Sequence, residues 1–373
     1  MKLSSRISGV SESATIKLID ISNRLKREGK DVINFSFGEP DFNTPQHIVD
    51  AAKRAMDAGF THYLPSGGLP ELRVAVADKL KIENKLDVSP DNVVITPGAK
   101  YAIYAVLSSL IDDGDEVILF DPSWVTYEAC VKLAGGKVVW STFNGISEAI
   151  TPKTRLIIIN SPNNPAGYVL GKTELSEIAD LSIDQDISVI SDEIYEKLIY
   201  GGKHLSIGSF DGMSERTITI NGFSKTYAMT GWRVGYLSAP EEVARAVKRL
   251  QQHSTTCATS FAQYGALEAV RGDQRCVGEM VNRFRERRDL IVSGLNNIGI
   301  DCQMPDGAFY VFADVAACGG GDNVTEALLK KAYIIVTPGG SFGPGSGSCI
   351  RISYATSMDQ IRAGLEGIKT CLA

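Results

Sequence analysis

Asn92-Val93-Val94-Ile95-Thr96-Pro97-Gly98-Ala99-Lys100 reads as a buried strand handing over to a helix. Val93, Val94 and Ile95 are β-branched, Thr96-Pro97-Gly98 turns the chain, and residues 99–111 carry apolar side chains at helical spacing. The pattern recurs. Short apolar runs bounded by Gly, Pro or Asp lie at 116–120, 137–140, 156–160, 187–191, 217–221 and 234–239. Helical segments such as 172–181 and 241–253 lie between or after them. Together they predict an α/β sandwich, a mostly parallel sheet of about seven strands with helices on both faces. The last third differs. An arginine-rich helix over 281–297 precedes strands at 308–313, 334–337 and 349–353 and helices at 324–331 and 358–372. This predicts a smaller α+β domain, packed with an N-terminal helix over about 14–28. The expected division is a large domain at 45–280 and a small one built from 1–44 and 281–373.

The 373 residues suffice for two domains, and 44% hydrophobic with 22% charged residues is ordinary for a globular protein. A net charge of -6 without a basic cluster argues against nucleic-acid binding. No apolar run approaches the roughly 20 residues that span a bilayer, and residues 1–20 lack the apolar core of a signal peptide. Seven dispersed cysteines without a Cys-x-x-Cys pair read as reduced thiols of a cytoplasmic protein. The four histidines have no metal-ligand spacing, so no metal is expected.

In open α/β sheets ligands sit at the carboxyl ends of the strands, and the unusual residues of this chain fall there. Asn221-Gly222-Phe223-Ser224-Lys225-Thr226 places a lysine just after a strand, and Arg233 follows eight positions later. A lysine so placed can form a Schiff base and the arginine can hold a phosphate, the two needs of pyridoxal phosphate. The free amides of Ala99 and Lys100 at a helix start can bind an anion, although the same turn occurs without one. Trp124, in Asp121-Pro122-Ser123-Trp124, can stack on a flat heterocycle or fill core. Asn164 sits in Asn160-Ser161-Pro162-Asn163-Asn164-Pro165-Ala166-Gly167, a loop stiffened by two prolines. Asp192, in Ser191-Asp192-Glu193-Ile194-Tyr195, is a carboxylate at the end of a buried strand, costly unless paired, and a protonated pyridine nitrogen would pair it. Tyr195 can reach the same side as a phenol donor. Arg351 stands alone in the apolar strand Cys349-Ile350-Arg351-Ile352-Ser353, suited to a bidentate carboxylate clamp or to an internal salt bridge. The glycine-rich piece 339–347 reads as a loop.

These segments, with Phe37-Gly38-Glu39-Pro40-Asp41-Phe42, His62-Tyr63, Ser13-Ala14-Thr15 and Met229 to Gly235, resemble the fold-type I, class I aminotransferases, in particular the gamma subgroup of aspartate aminotransferases. The resemblance runs through nearly the whole chain. It implies a pyridoxal 5'-phosphate transferase fold and a ping-pong transfer of an amino group from an L-amino acid, aspartate first, to 2-oxoglutarate. It implies that Lys225 bonds the cofactor and then moves the proton, with Asp192 on the pyridine nitrogen. Tyr195 and Asn164 would bond the ring hydroxyl oxygen, and Trp124 would stack on the ring. Arg233, Ala99 and Lys100 would hold the phosphate, joined by Tyr63 of the second chain of a homodimer. Arg351, Asn164 and the Gly38 backbone would hold the substrate α-carboxylate. Lys100, with hydroxyls near Ser13 and Thr15, would meet the distal carboxylate.

The sequence departs from that pattern at three places. Residues 141–150 are shorter than the family's segment, Gly222 replaces a phosphate-binding serine of some members, and Ala166 replaces a frequent threonine. Ser11 stands where some prephenate-accepting relatives carry a lysine, and the absence of that lysine argues against a prephenate-accepting enzyme. An aromatic- or alanine-type aminotransferase and a carbon-sulfur β-lyase on the same fold are the alternatives. A cofactor-sensing regulator is a further one, disfavoured by the acidic charge.

Overall fold

The computed structural model describes residues 3–12 and 14–372, without the side chains of 14 and 15. In chain order the strands are β1 (Ile33–Asn34), β2 (Val93–Thr96), β3 (Glu116–Phe120), β4 (Lys137–Ser141), β5 (Thr154–Asn160), β6 (Ser188–Asp192), β7 (Thr217–Gly222), β8 (Gly235–Ser238), β9 (Tyr310–Asp314), β10 (Ile334–Ile335), β11 (Thr337–Pro338) and β12 (Cys349–Ser353). The helices are α1 (Ser5–Ser8), α2 (Ala14–Arg27), α3 (Gln46–Asp57), α4 (Pro70–Lys79), α5 (Ala99–Leu110), α6 (Val125–Ala134), α7 (Ile146–Ala149), α8 (Lys172–Asp184), α9 (Glu241–Gln252), α10 (Ser260–Arg271), α11 (Arg275–Asn297), α12 (Gly321–Ala332) and α13 (Met358–Leu372). Among the described residues no helix is long and apolar enough to cross a membrane.

The seven-stranded sheet has the order β2-β8-β7-β6-β5-β3-β4. Only β8 runs against the others, pairing antiparallel with both β2 and β7. The carboxyl ends of β2, β3, β5, β6 and β7 therefore share one edge. Alternate residues of each strand feed opposite layers. Val117 and Leu119 of β3, with Leu156 and Ile158 of β5, meet α5, α6 and α9. Ile118, Phe120, Ile157 and Ile159 face α8, and Val93 and Ile95 face α4 and α10. With both faces covered, the strands are continuous apolar runs rather than alternating ones.

The remaining strands form a three-stranded antiparallel sheet, β11-β12-β9, and a parallel pair, β1-β10. The apolar faces of α11, α12 and α13 cover them around Phe35. Leu18 of α2 packs with Val32 and Ile335. α11 contributes Val277 to the core beneath the large sheet and Met280 and Phe284 to the second core, so one helix belongs to both.

Several elements differ from the sequence expectation. β9 starts at Tyr310 rather than 308, because Ala308 has φ +58°, incompatible with an extended strand. The expected strand 334–337 divides into β10 and β11, which join different sheets. α11 begins at Arg275, six residues before 281. The short segment 141–150 folds as a 3-10 turn, Phe143–Gly145, and α7, and Phe143 stacks on Phe120 at 4.3 Å. The glycine-rich stretch is an anchored loop: Asp121 accepts hydrogen bonds from Gly345 N at 2.6 Å and Ser346 Oγ at 2.5 Å.

Packing of α13 on β1 requires Gly364. A Cβ there would lie 2.3 Å from Cε2 and Cζ of Phe35, which is fully buried and has nowhere to turn. Alanine gains up to about 1 kcal/mol of helix propensity, less than the 1–3 kcal/mol or so that overpacking costs. Gly364→Ala is expected to lower stability by about 1–2 kcal/mol, read as a lower urea midpoint at unchanged slope.

Candidate active site

A cleft of about 390 Å³ lies at the carboxyl edge of the large sheet. Its lining includes Gly38, Ala99, Lys100, Trp124, Asn164, Asp192, Tyr195, Lys225, Arg233 and Arg351. Most arrive on a strand end or the turn after it; Arg351 projects from the middle of β12, and Arg233 lies just before β8. Tyr63 is not among them: its side chain is 85% exposed on the surface of the chain. Ser13 and the side chain of Thr15, expected near the distal end, lie outside the described residues.

Lys225 follows β7 and donates its Nζ proton to the carbonyl of Gly38. Burial lowers its amine to about 8; Glu39 opposes that fall, while Arg233, Arg351 and Lys100 add to it. A substantial fraction of this amine is neutral near pH 8, as a nucleophile requires.

Asp192 ends β6 and is 2% exposed. Its Oδ2 accepts from the Tyr127 hydroxyl at 2.6 Å and its Oδ1 from Ile194 N at 3.2 Å. Burial raises its carboxyl to about 6 despite these bonds. Among the described residues no cation bonds this carboxylate, and in such surroundings its charged form is favoured only where a cation pairs it. The next residues are secured separately. Glu196 pairs with Lys79, and Asn84 donates to Glu193 at 2.9 Å and to Glu196 at 2.7 Å. Burial opposes the charge on Glu196, but Lys79 and His204 outweigh it and hold the carboxyl down at about 2. Glu193, Glu196 and His204 bring their ligand atoms within 4.8 Å of one another. The ammonium of Lys79 already sits among them, so the cluster is an ion-pair network beneath the Asp192–Tyr195 loop.

Arg351 is 2% exposed and its guanidinium has no carboxylate partner among the described residues. Nη1 donates to Asn164 Oδ1 at 3.0 Å, and Nη2 to Ser36 O at 2.8 Å and to Thr337 Oγ1 at 3.3 Å. Nε has no partner among the described residues. The internal salt bridge that the sequence left open is not formed among the described residues. Asn164 is fixed in turn, its amide donating to Asn160 Oδ1 at 2.8 Å.

Arg233, in the left-handed region at φ +54°, donates to Thr230 O at 2.8 Å and Pro97 O at 3.4 Å. Gly98 makes room for it: a Cβ there would come within 2.5 Å of Arg233 Nη2. Gly98 provides no side-chain cap for α5, and among the described residues the amides of Ala99 and Lys100 have no acceptor. Three glycines let the backbones meet here. A Cβ on Gly235 would lie 2.5 Å from Ala99 N, and one on Gly222 would lie 3.0 Å from Gly235 Cα. A serine at 222 would need Gly235 and the Ile194 side chain to give by a few tenths of an ångström. Lys100 Nζ lies 5.0 Å from the Trp124 ring centre, and burial, with Arg233, lowers its ammonium.

Sequence reasoning missed Tyr127, Tyr310, Glu39 and Thr230. Tyr127 lies one helical turn after Trp124 and meets it edge to face at 5.4 Å, a spacing that could have found it. Glu39 accepts from Thr230 Oγ1 at 2.8 Å, joining the loops on either side of Lys225.

The arrangement joins a nucleophilic amine, a buried carboxylate, two anion seats and a flat aromatic wall. The profile of the family Aminotransferase class I and II matches residues 30–368. A probable aspartate aminotransferase of Methanocaldococcus jannaschii is 44% identical, covering 98% of this chain and 99% of its own. An aspartate aminotransferase of Bacillus subtilis is 43% identical, covering 99% and 98%. The solved structure of the Thermus thermophilus aspartate aminotransferase with maleate superposes with a TM-score of 0.96 at 39% identity, covering 100% of both chains. With a match of this extent in sequence and structure, the chain belongs to the class I and II aminotransferases, enzymes that move an amino group between amino acids and 2-oxo acids.

Proposed function

We propose that the cleft holds pyridoxal 5'-phosphate and that the chain transfers the amino group of L-aspartate to 2-oxoglutarate, as a cytoplasmic homodimer. The observation that carries this reading is the Lys225 amine, lowered to about 8, in one cleft with a buried Asp192 carboxylate that has no cation. The residues fit the cofactor group by group. Arg233 and the amides of Ala99 and Lys100 suit its phosphate, Asp192 its ring nitrogen, Tyr195 and Asn164 its phenolic oxygen, and Trp124 its ring face. When bound, the cofactor supplies an aldehyde that takes up the amino group and a ring that withdraws electrons from the substrate Cα.

The chain's own residues do the rest. Arg351, which lines the cleft and whose Nε has no partner among the described residues, meets the substrate α-carboxylate, the counter-charge that it lacks there. Lys100, beside Trp124, meets the distal carboxylate of aspartate. Lys225 Nζ, once released, accepts the proton from Cα and returns it, a step worth roughly 100-fold to 10,000-fold. Asp192 holds a proton on the ring nitrogen. The reading includes a large unit at 45–280 and a small unit from 1–44 and 281–373 that closes over the substrate. Seven free thiols suit a reducing compartment. The 85% exposure of Tyr63 suits a residue that serves the neighbouring subunit's phosphate.

The deciding experiment is the visible spectrum of the cofactor-loaded protein. Aspartate is expected to bleach the band and 2-oxoglutarate to restore it. Bleaching by an aromatic amino acid but not by aspartate would reject the substrate assignment.

Cofactor capture is expected to follow the Lys225 amine. Below pH 8 the ammonium has no lone pair, so the rate of band formation falls roughly tenfold per pH unit; above 8 it levels off. An unperturbed amine would place that midpoint near 10.5.

Mixing variants tests the shared site. Tyr63→Phe should weaken cofactor binding about 10- to 100-fold, the loss of a hydrogen bond of about 1.5–3 kcal/mol to a charged group. Lys225→Ala should abolish turnover. In mixed dimers the Lys225→Ala chain lends its Tyr63 to the intact lysine of the other, so tight cofactor binding and activity should return to one site in two. Mixing without gain would exclude sharing.

A further inference from the structure

We propose that Tyr310 is a positioning residue that couples the substrate clamp to the phenol beside the cofactor, its ring supporting Arg351 and its hydroxyl supporting Tyr195. The inference rests on the cofactor reading above and goes beyond it. Tyr310 opens β9, and β9 pairs with β12, which carries Arg351. The centre of its ring lies 4.6 Å from Arg351 Cζ, with Phe342 at 5.0 Å as a second aromatic contact. Its hydroxyl lies 2.8 Å from the hydroxyl of Tyr195, in the turn that follows β6 of the large sheet. Gly38 leaves the room for this reach: a Cβ there would fall 2.9 Å from the Tyr310 oxygen. The same Gly38 carbonyl accepts from Lys225. One side chain thus touches an arginine of the small sheet, a tyrosine that follows a strand of the large one and the segment that holds the amine.

A phenol has one proton to give and lone pairs that accept. When Tyr195 spends its proton on the ring oxygen, it can still accept one from Tyr310. Two hydroxyls in series polarise each other, so Tyr195 becomes the stronger donor and favours the anionic ring oxygen. The ring of Tyr310 acts separately. Its negative face attracts the guanidinium and fixes the plane in which Arg351 offers itself to a carboxylate.

Two substitutions separate these roles. Cofactor-loaded wild type, Tyr310→Phe and Tyr310→Leu are titrated with pH while the visible band of bound pyridoxal phosphate is followed, then with succinate, an unreactive dicarboxylate. In Tyr310→Phe the midpoint of the band should rise by roughly half a unit, with succinate affinity within about twofold of wild type. Tyr310→Leu should show the same rise and bind succinate about tenfold more weakly. An unshifted midpoint in Tyr310→Phe overturns the hydroxyl's role, and this near-isosteric variant decides the matter even where Tyr310→Leu does not fold. Unchanged succinate affinity in Tyr310→Leu overturns the role of the ring. A wild type that takes up no band overturns the cofactor reading and this coupling with it; that failure shows in the wild type, the others only in the variants.

Discussion

A guanidinium buried between two sheets without a carboxylate is the constraint on which the rest of the site depends. Leaving a charge unpaired in the interior costs several kcal/mol. Arg351 is tolerated because neutral oxygens from Asn164, Ser36 and Thr337 and the rings of Tyr310 and Phe342 surround it. Each support constrains something else. Asn164 is held by Asn160, whose Nδ2 donates at 2.9 Å to the carbonyl of Asp192. The clamp is thus connected through two asparagines to the strand end that carries the buried carboxylate. The Phe342 carbonyl, in turn, accepts from Ser123 N at 2.7 Å, which ties the loop over the arginine to the turn before Trp124.

A charge left open toward the cleft and charges that hold the fold are kept apart at neighbouring positions. Asp192 has a hydroxyl and an amide but no cation. Glu193 and Glu196, one and four residues on, are bonded to Asn84, with Ser206 on Glu193 and Lys79 on Glu196. The π-helical turn Leu80–Asn84 at the end of α4 brings Asn84 to that cluster. The strand end is rigid because its neighbours are saturated, and only the residue facing the cleft keeps its charge unanswered.

The strands of the large sheet were legible because their signals are local: β-branched runs, and Gly, Pro or Asp at their ends. The residues after those ends were legible for a second reason. Lysine, aspartate and arginine are conspicuous in apolar surroundings, and a parallel sheet gathers its strand ends at one edge. Tyr127 and Tyr310 were not legible, since a tyrosine in an apolar run resembles core until its hydroxyl is seen to have a partner. The split of 334–337 into β10 and β11 depends on which strand each half meets, which is a tertiary fact. α4 and α10 escaped notice because they are buried on more than one side: Leu72, Ala75, Val76 and Ala77 in α4, and Ala262, Gly265, Ala266 and Ala269 in α10. The placement of Tyr63 came from resemblance alone, as no local pattern marks a residue that one chain leaves exposed.

The single reversed strand has a geometric consequence. In an all-parallel sheet, the residue that enters a strand lies at the edge opposite the one where strands end. Because β8 runs backwards between β2 and β7, Arg233 enters it from the same edge at which β7 releases Lys225. The amine and the guanidinium therefore hang from one connection between two paired strands, with Gly222 registered on Gly235. Their separation acts as a ruler cut into a single piece of backbone. A shift of the second core against the first leaves that span unchanged, because neither end of it belongs to the second core.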